Sequence, residues 1–177
     1  FQARRVHIVG PHKWNRKGAL MTELYQHVEN HPSIAELVEC WHNRIAGEIA
    51  AAKAEAGAAA FHTHEAAARG DQAALAACTA RVDAAEARIR ELEASRVIAM
   101  DIIPGAVPME RYVFPKRCLL LFGAEGPGLS KKALELADDV VYISQFGSVR
   151  SINAGAAAAV AMHSWIARHA RIGGVAE

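Results

Sequence analysis

The chain has 177 residues, 52% of them hydrophobic and 22% charged, with a formal charge of +1. That composition is globular rather than disordered and supplies one sizeable core. It excludes a polycation that binds nucleic acid through bulk charge, and the longest uncharged apolar run, Ala154 to Met162, is too short to span a bilayer.

Val6-His7-Ile8-Val9 reads as a short strand closed by Gly10-Pro11. The first 18 residues carry Arg4, Arg5, Lys13, Arg16 and Lys17 and no acid, with His7, His12 and Trp14 among them. A basic stretch with an inserted aromatic suits a phosphate-rich partner; a solvated loop after a strand explains it equally well. A helix is expected over 33–42, where Ser33 and Glu36 form a capping box and Ile34, Val38, Trp41 and Ile45 recur at helical spacing. The composition then shifts, and 21 of the 53 residues from Asn43 to Ser95 are alanine, the best helix former. Ile45, Ile49, Ala52, Ala56 and Ala59 form one heptad seam, and Leu75, Cys78, Val82, Ala85, Ile89 and Leu92 another. Gly70 can end the first helix and Asp71 cap the second, so the segment reads as an antiparallel helical hairpin. Six Lys/Arg against eight Asp/Glu argue against direct RNA contact. An alanine seam buries little area, so the hairpin is expected to lean on a protein partner.

Beyond it the pattern is α/β. Val97 to Ile103, Cys118 to Phe122 and Val140 to Ile143 read as buried parallel strands, Lys131 to Ala137 as a short helix, and Asn153 to about Ala170 as a longer one. Cys40, Cys78 and Cys118 form no CxxC pair and read as reduced thiols of a cytosolic protein.

Two loops carry the chemistry. Strand Leu119–Phe122 runs into Gly123-Ala124-Glu125-Gly126-Pro127-Gly128-Leu129-Ser130, where three glycines in six residues mean a tight turn or close approach to a ligand. It lies at the carboxyl end of a strand, where open α/β sheets bind ligands, and is neither GxGxxG nor a P-loop. The second loop runs Ser144-Gln145-Phe146-Gly147-Ser148-Val149-Arg150-Ser151-Ile152-Asn153 into a helix rich in Ala and Gly155, whose first turns are expected to meet another backbone closely. Ser151 or Asn153 would cap that helix.

FGAEGPGLS followed by ISQFGSVRSINAGAAAAVAMHSW resembles the second and third motifs of the TrmH-type (SpoU) branch of the SPOUT superfamily, S-adenosylmethionine-dependent RNA 2'-O-ribose methyltransferases. Ser144-Gln145 in place of Pro-Met, and Ile152 in place of Leu, are the departures. The resemblance implies one domain over 1–177, an α/β-knot with a C-terminal trefoil, carrying the hairpin 43–95 as an insertion. It implies a donor site lined by Leu121, Gly123, Ile143, Gln145, Ser151 and Ile152, polar active-site residues Glu125, Ser151 and Asn153, and a cytoplasmic homodimer. Arg4, Arg5, Lys13, Arg16, Lys17 and Arg150 are the residues expected on RNA, ribosomal or transfer.

Methyl transfer from a sulfonium to a hydroxyl is an in-line displacement; it requires alignment and removal of a proton, and it requires no metal. Neither loop offers an obvious base. The family's arginine, in a first motif of type NxGxxxR, is expected upstream of Phe1, so the chain is expected to be N-terminally truncated. His27 and His31 are spaced as a helical metal pair, but Pro32 ends that possibility, and His62-Thr63-His64 lacks a third ligand; no metal is expected. Trp165 reads as core or subunit packing. Two alternatives stand beside this reading: a degenerate knotted RNA-binding protein, and a methyltransferase acting on a base nitrogen.

Overall fold

In the computed structural model, which describes residues 3–11, 27–124, 126–147 and 152–170, Val97, Ile98 and Ala99 have no exposed surface. They form the middle of β3 (Arg96–Met100), which lies inside a four-stranded sheet between β5 (Cys118–Phe122) and β6 (Asp139–Tyr142). A strand covered on both faces has no reason to alternate apolar and polar residues, which is why these segments read as unbroken apolar runs. β4 (Val107–Pro108) adds at the outer side of β6, giving the order β4-β6-β3-β5 with every pairing parallel. A separate two-stranded parallel sheet pairs β1 (Val6–Val9) with β2 (Val28–His31). β2 is polar and shows no strand signal in sequence; its pairing with β1 makes it a strand.

The chain divides into two compact units, one comprising Phe1–Cys40 with Arg96–Glu177, the other Trp41–Ser95. In the first, Ile98, Phe114 and Val141 form a buried cluster, with Met100, Met109, Tyr112, Cys118, Leu120 and Trp165 packed against it. Trp165 belongs to α4 (Ala154–His169) and donates its indole N–H to Pro115 O at 3.1 Å, so this face of α4 is core. His169 Nε2 reaches Phe114 O at 2.8 Å and fastens the last turn of α4 to the same segment.

Burial in this cluster pushes the Cys118 thiol up from its ordinary 9.0 to about 11. Burial and donation of its hydroxyl to Asp139 Oδ2, at 2.7 Å, raise Tyr112 as well. Both groups are neutral when protonated, so above pH 9 the unfolded chain ionises first and stability falls. The Cys118 share of that loss develops between pH 9 and 11 and amounts to roughly 2–3 kcal/mol at most. Urea midpoints measured across this range should fall less steeply for Cys118→Ala than for the parent. Parallel slopes would remove the thiol from the account.

The second unit holds most of α1 (Ile34–Arg69) and all of α2 (Gln72–Glu93). α1 runs through the compositional boundary at Asn43 without a break, in place of a separate helix over 33–42, because Trp41-His42-Asn43-Arg44 contains no helix breaker. Ser33 Oγ accepts from Glu36 N at 3.2 Å at its start. At its end Gly70 takes φ +69°, and Asp71 caps α2 by accepting from Ala74 N at 3.0 Å. Ile45, Ala52, Ala59 and Ala66 are buried on α1, and Ala85 and Leu92 on α2. Glu48 and Arg88 approach to 3.8 Å, one from each helix.

Candidate functional site

Because β3, β5 and β6 are adjacent and parallel, their carboxyl ends finish at one edge. A cleft of about 330 Å³ opens there. Met100, Asp101 and Ile102 line it from the end of β3, Phe122, Gly123, Ala124, Gly126, Gly128 and Leu129 from β5 and its loop, and Tyr142, Ile143 and Gln145 from β6; Ile152, Asn153, Ala154 and Ala157 close it from the start of α4. Its size falls in the range of small-molecule sites.

The β5 loop is folded on itself. Ala124 and Gly128 form an isolated antiparallel bridge, with Gly128 N donating to Ala124 O at 3.0 Å. Gly126 and Gly128 adopt φ +93° and +68°, a region that side chains with a Cβ rarely enter. Gly123 is constrained differently: a Cβ there would lie 2.7 Å from Gly128 Cα and closer still to the Gly128 carbonyl carbon and the Leu129 nitrogen. The close approach expected at Gly123 is therefore made first by the loop's own backbone. Ser130 ends the loop as N-cap of α3 (Lys131–Leu136), accepting from Ala133 N at 3.2 Å.

Asn153 caps α4. Its Oδ1 accepts from Gly155 N at 2.9 Å and Ala156 N at 3.2 Å. The small residue at 155 is explained by that cap, since a Cβ on Gly155 would meet Asn153 Oδ1 at 3.1 Å; among the described residues no second backbone approaches it. Asn153→Ala should therefore cost about 1 kcal/mol of stability, with Asn153→Asp largely retaining it, as thermal or urea unfolding will read. Equal stability of Asn153→Ala and the parent would remove the cap.

Of the residues expected to hold the donor, Gly123, Ile143, Gln145 and Ile152 line the cleft. Leu121 is buried within β5 and does not. Ser151 lies outside the described residues, as do Glu125, Arg150, Lys13, Arg16, Lys17 and Trp14. Arg4 is exposed, and Arg5 is paired through Nη1 with Glu29 Oε1. Asp101 was not foreseen. Its Oδ1 accepts from Ile102 N at 2.8 Å, and it is the one carboxylate among the described residues that line the cleft. Behind the cleft, Ser144 donates its hydroxyl to Glu110 Oε2 at 2.8 Å. Glu110's own backbone N–H and that hydroxyl hold its carboxyl below the usual range.

Residues 49–163 match the SpoU rRNA methylase family, and the chain is a member of it. The tRNA (guanosine(18)-2'-O)-methyltransferase of Saccharomyces cerevisiae is 32% identical over 81 residues, which are 45% of this chain and 6% of that protein. The SpoU methyltransferase AviRb from Streptomyces viridochromogenes, solved in complex with the cofactor AdoMet, superposes with a TM-score of 0.54 at 18% identity, over 91% of this chain and 48% of that one. AviRb without the cofactor gives 0.58, over 94% and 49%. The chain thus spans a small fraction of the yeast protein and about half of AviRb. At that identity the likeness to AviRb concerns the fold, an α/β arrangement with parallel strands.

Proposed function

We propose that this chain is the methyl-transferring domain of an S-adenosylmethionine-dependent RNA methyltransferase whose acceptor is a ribose 2'-hydroxyl of ribosomal or transfer RNA. The observation that carries the proposal is the position of the cleft. Both family loops meet at the carboxyl ends of β3, β5 and β6, and a small-molecule-sized opening lies between them. Its walls fit the methyl donor: a glycine-rich backbone for close contact, Ile143, Ile152 and Leu129 as apolar surface, and Asp101 as an anion for a cationic group.

The donor supplies an electrophilic methyl on sulfonium. The chain's own residues bind and orient. Gly123, Ile143, Gln145 and Ile152 hold the donor, together with Ser151 beside them in sequence. Leu121 acts from behind, by fixing β5. Asn153 keeps the α4 N-terminus in place, and with Glu125 and Ser151 it makes up the polar residues assigned to the transfer in the two loops. Alignment of the reacting atoms is the main contribution such a site makes to rate. Arg4, Arg5, Lys13, Arg16, Lys17 and Arg150 hold the RNA phosphates.

The same proposal includes the knotted C-terminal path, a homodimer that completes the site, a cytoplasmic location, and a protein-contact role for the hairpin 43–95 inserted in the domain. Among the described residues no helix is long and apolar enough to cross a membrane. The test is methyl transfer from labelled S-adenosylmethionine by the full-length protein, with nucleoside analysis of the product. A 2'-O-methyl nucleoside is expected, and Glu125→Ala should slow its formation at least about tenfold, or 1.4 kcal/mol of barrier. Label on a base nitrogen, or donor binding without transfer to any cellular RNA, would overturn the assignment.

A further inference from the structure

Outside the cleft, three metal-ligating side chains converge on the two-stranded sheet. His7 on β1 is the register partner of Glu29 on β2, and His31 lies two residues further along β2, so all three stand on one face. His7 Nδ1 is 3.1 Å from His31 Nε2 and 3.5 Å from Glu29 Oε2, and His31 Nε2 is 3.8 Å from Glu29 Oε2. The in-plane point equidistant from these three atoms lies about 2.0 Å from each, and moving it about 0.7 Å out of plane toward a fourth ligand gives about 2.1 Å, within the range of zinc bonds to imidazole nitrogen and carboxylate oxygen. The imidazole centroids are 5.2 Å apart and the rings tilted by 47°, whereas two imidazoles sharing one tetrahedral ion have centroids about 5 Å apart.

A second observation concerns His31. It is only 7% exposed, yet its Nδ1 has no hydrogen-bond partner among the described residues. When Nε2 binds a metal, Nδ1 must carry the proton, and that N–H is turned toward a carboxylate, a backbone carbonyl or water. Glu36 Oε1 lies 3.9 Å from His31 Nδ1, beyond a hydrogen bond but on the required side. Arg5, paired with Glu29 Oε1, orients the carboxylate so that its other oxygen faces the two rings.

We infer that His7, Glu29 and His31 form a zinc site, with the fourth position taken by water. Two imidazoles and one carboxylate are a donor set that zinc accepts. The ion links β1 to β2 across the 10–27 connection. A parallel pair of four-residue strands is weak by itself, so a cross-link at this point has a clear structural use. The site stands apart from the methyl-transfer cleft and does not depend on its assignment.

The experiment titrates the metal-stripped protein with zinc against a chromogenic chelator, and separately with cobalt, whose four-coordinate complexes absorb strongly in the visible. One zinc per chain with a Kd below about 1 μM is expected, together with the four-coordinate cobalt spectrum. His7→Gln and Glu29→Gln should each weaken zinc binding at least about 100-fold, circular dichroism showing them folded. These two positions are chosen because replacing the buried His31 risks the fold. His62→Ala, at an exposed histidine beside Glu65, should leave binding unchanged. Absence of the cobalt spectrum in the parent protein overturns the site whatever the variants do. Retained zinc affinity in folded His7→Gln and Glu29→Gln proteins, or its loss in His62→Ala, overturns it too.

Discussion

Gly123→Val should lower affinity for S-adenosylmethionine at least about 100-fold, or 2.7 kcal/mol, while the parallel sheet stays folded. The new Cβ falls against Gly128 and Leu129, and the atoms it meets are backbone, which cannot swing aside as a side-chain tip can. The strand below is fixed by its pairing with β3 from Arg96↔Cys118 to Met100↔Phe122, so the strain has one outlet. The loop from Ala124 to Gly128 opens, its bridge is lost, and the cleft wall it forms moves away. Even Gly123→Ala should show most of this effect, because the clash begins at Cβ. Calorimetric titration checks the affinity and far-UV circular dichroism the fold. A folded Gly123→Val protein that binds the donor within a few-fold of the parent would mean that the loop does not shape the site.

Phe114→Ala should destabilise the protein by about 3–5 kcal/mol, the usual range for a fully buried phenylalanine. Phe114 is 2% exposed and is the largest fully buried side chain in the molecule's described residues. It stands edge-on to Tyr112, with ring centroids 5.1 Å apart, and shares a cluster with Ile98 and Val141. The site resists collapse. Ile98 and Val141 are strand residues held by the sheet, and the backbone around position 114 is tied to α4 through Phe114 O and Pro115 O. A cavity is therefore left instead of being filled. Urea unfolding gives the difference directly. A loss below about 2 kcal/mol would show that α4 can move in to close the gap.

What could be read from sequence follows from where the structural information resides. A strand buried on both faces announces itself, as β3 does at Val97, Ile98 and Ala99, and the shorter runs of β1 and β5 fall at Val6–Val9 and Cys118–Phe122 as the sequence pattern places them. Caps are local chemistry, so Asp71, Ser130 and Asn153 are legible at short range. β2 is not, because Val28-Glu29-Asn30-His31 has no apolar alternation and exists by pairing with a strand about twenty residues away. The same separation concealed His7 with Glu29 and His31: His31 taken with His27 suggests a helical pair that Pro32 forbids, while its true neighbour is across the sheet. Gly123 shows a subtler limit. Glycine spacing reveals that something comes close, but not whether that is a ligand or the loop itself. Asp101 was hidden because β3 was expected to reach Ile103; the strand ends at Met100, and the carboxylate falls at its mouth.

The buried alanines of α1 have a consequence for how this molecule can vary. Ala52, Ala59 and Ala66 are spaced by seven residues, as are Ala85 and Leu92 on the facing helix. Removing or adding seven residues in each helix brings equivalent positions back onto the seam, and the turn at Gly70-Asp71 is carried along unchanged. Each such step alters the length of each helix by about 10.5 Å. Adding or removing a single residue turns the seam by about 100° and breaks the packing. The length of this helix pair is therefore a discrete variable, open to change by whole heptads with the seam pattern kept.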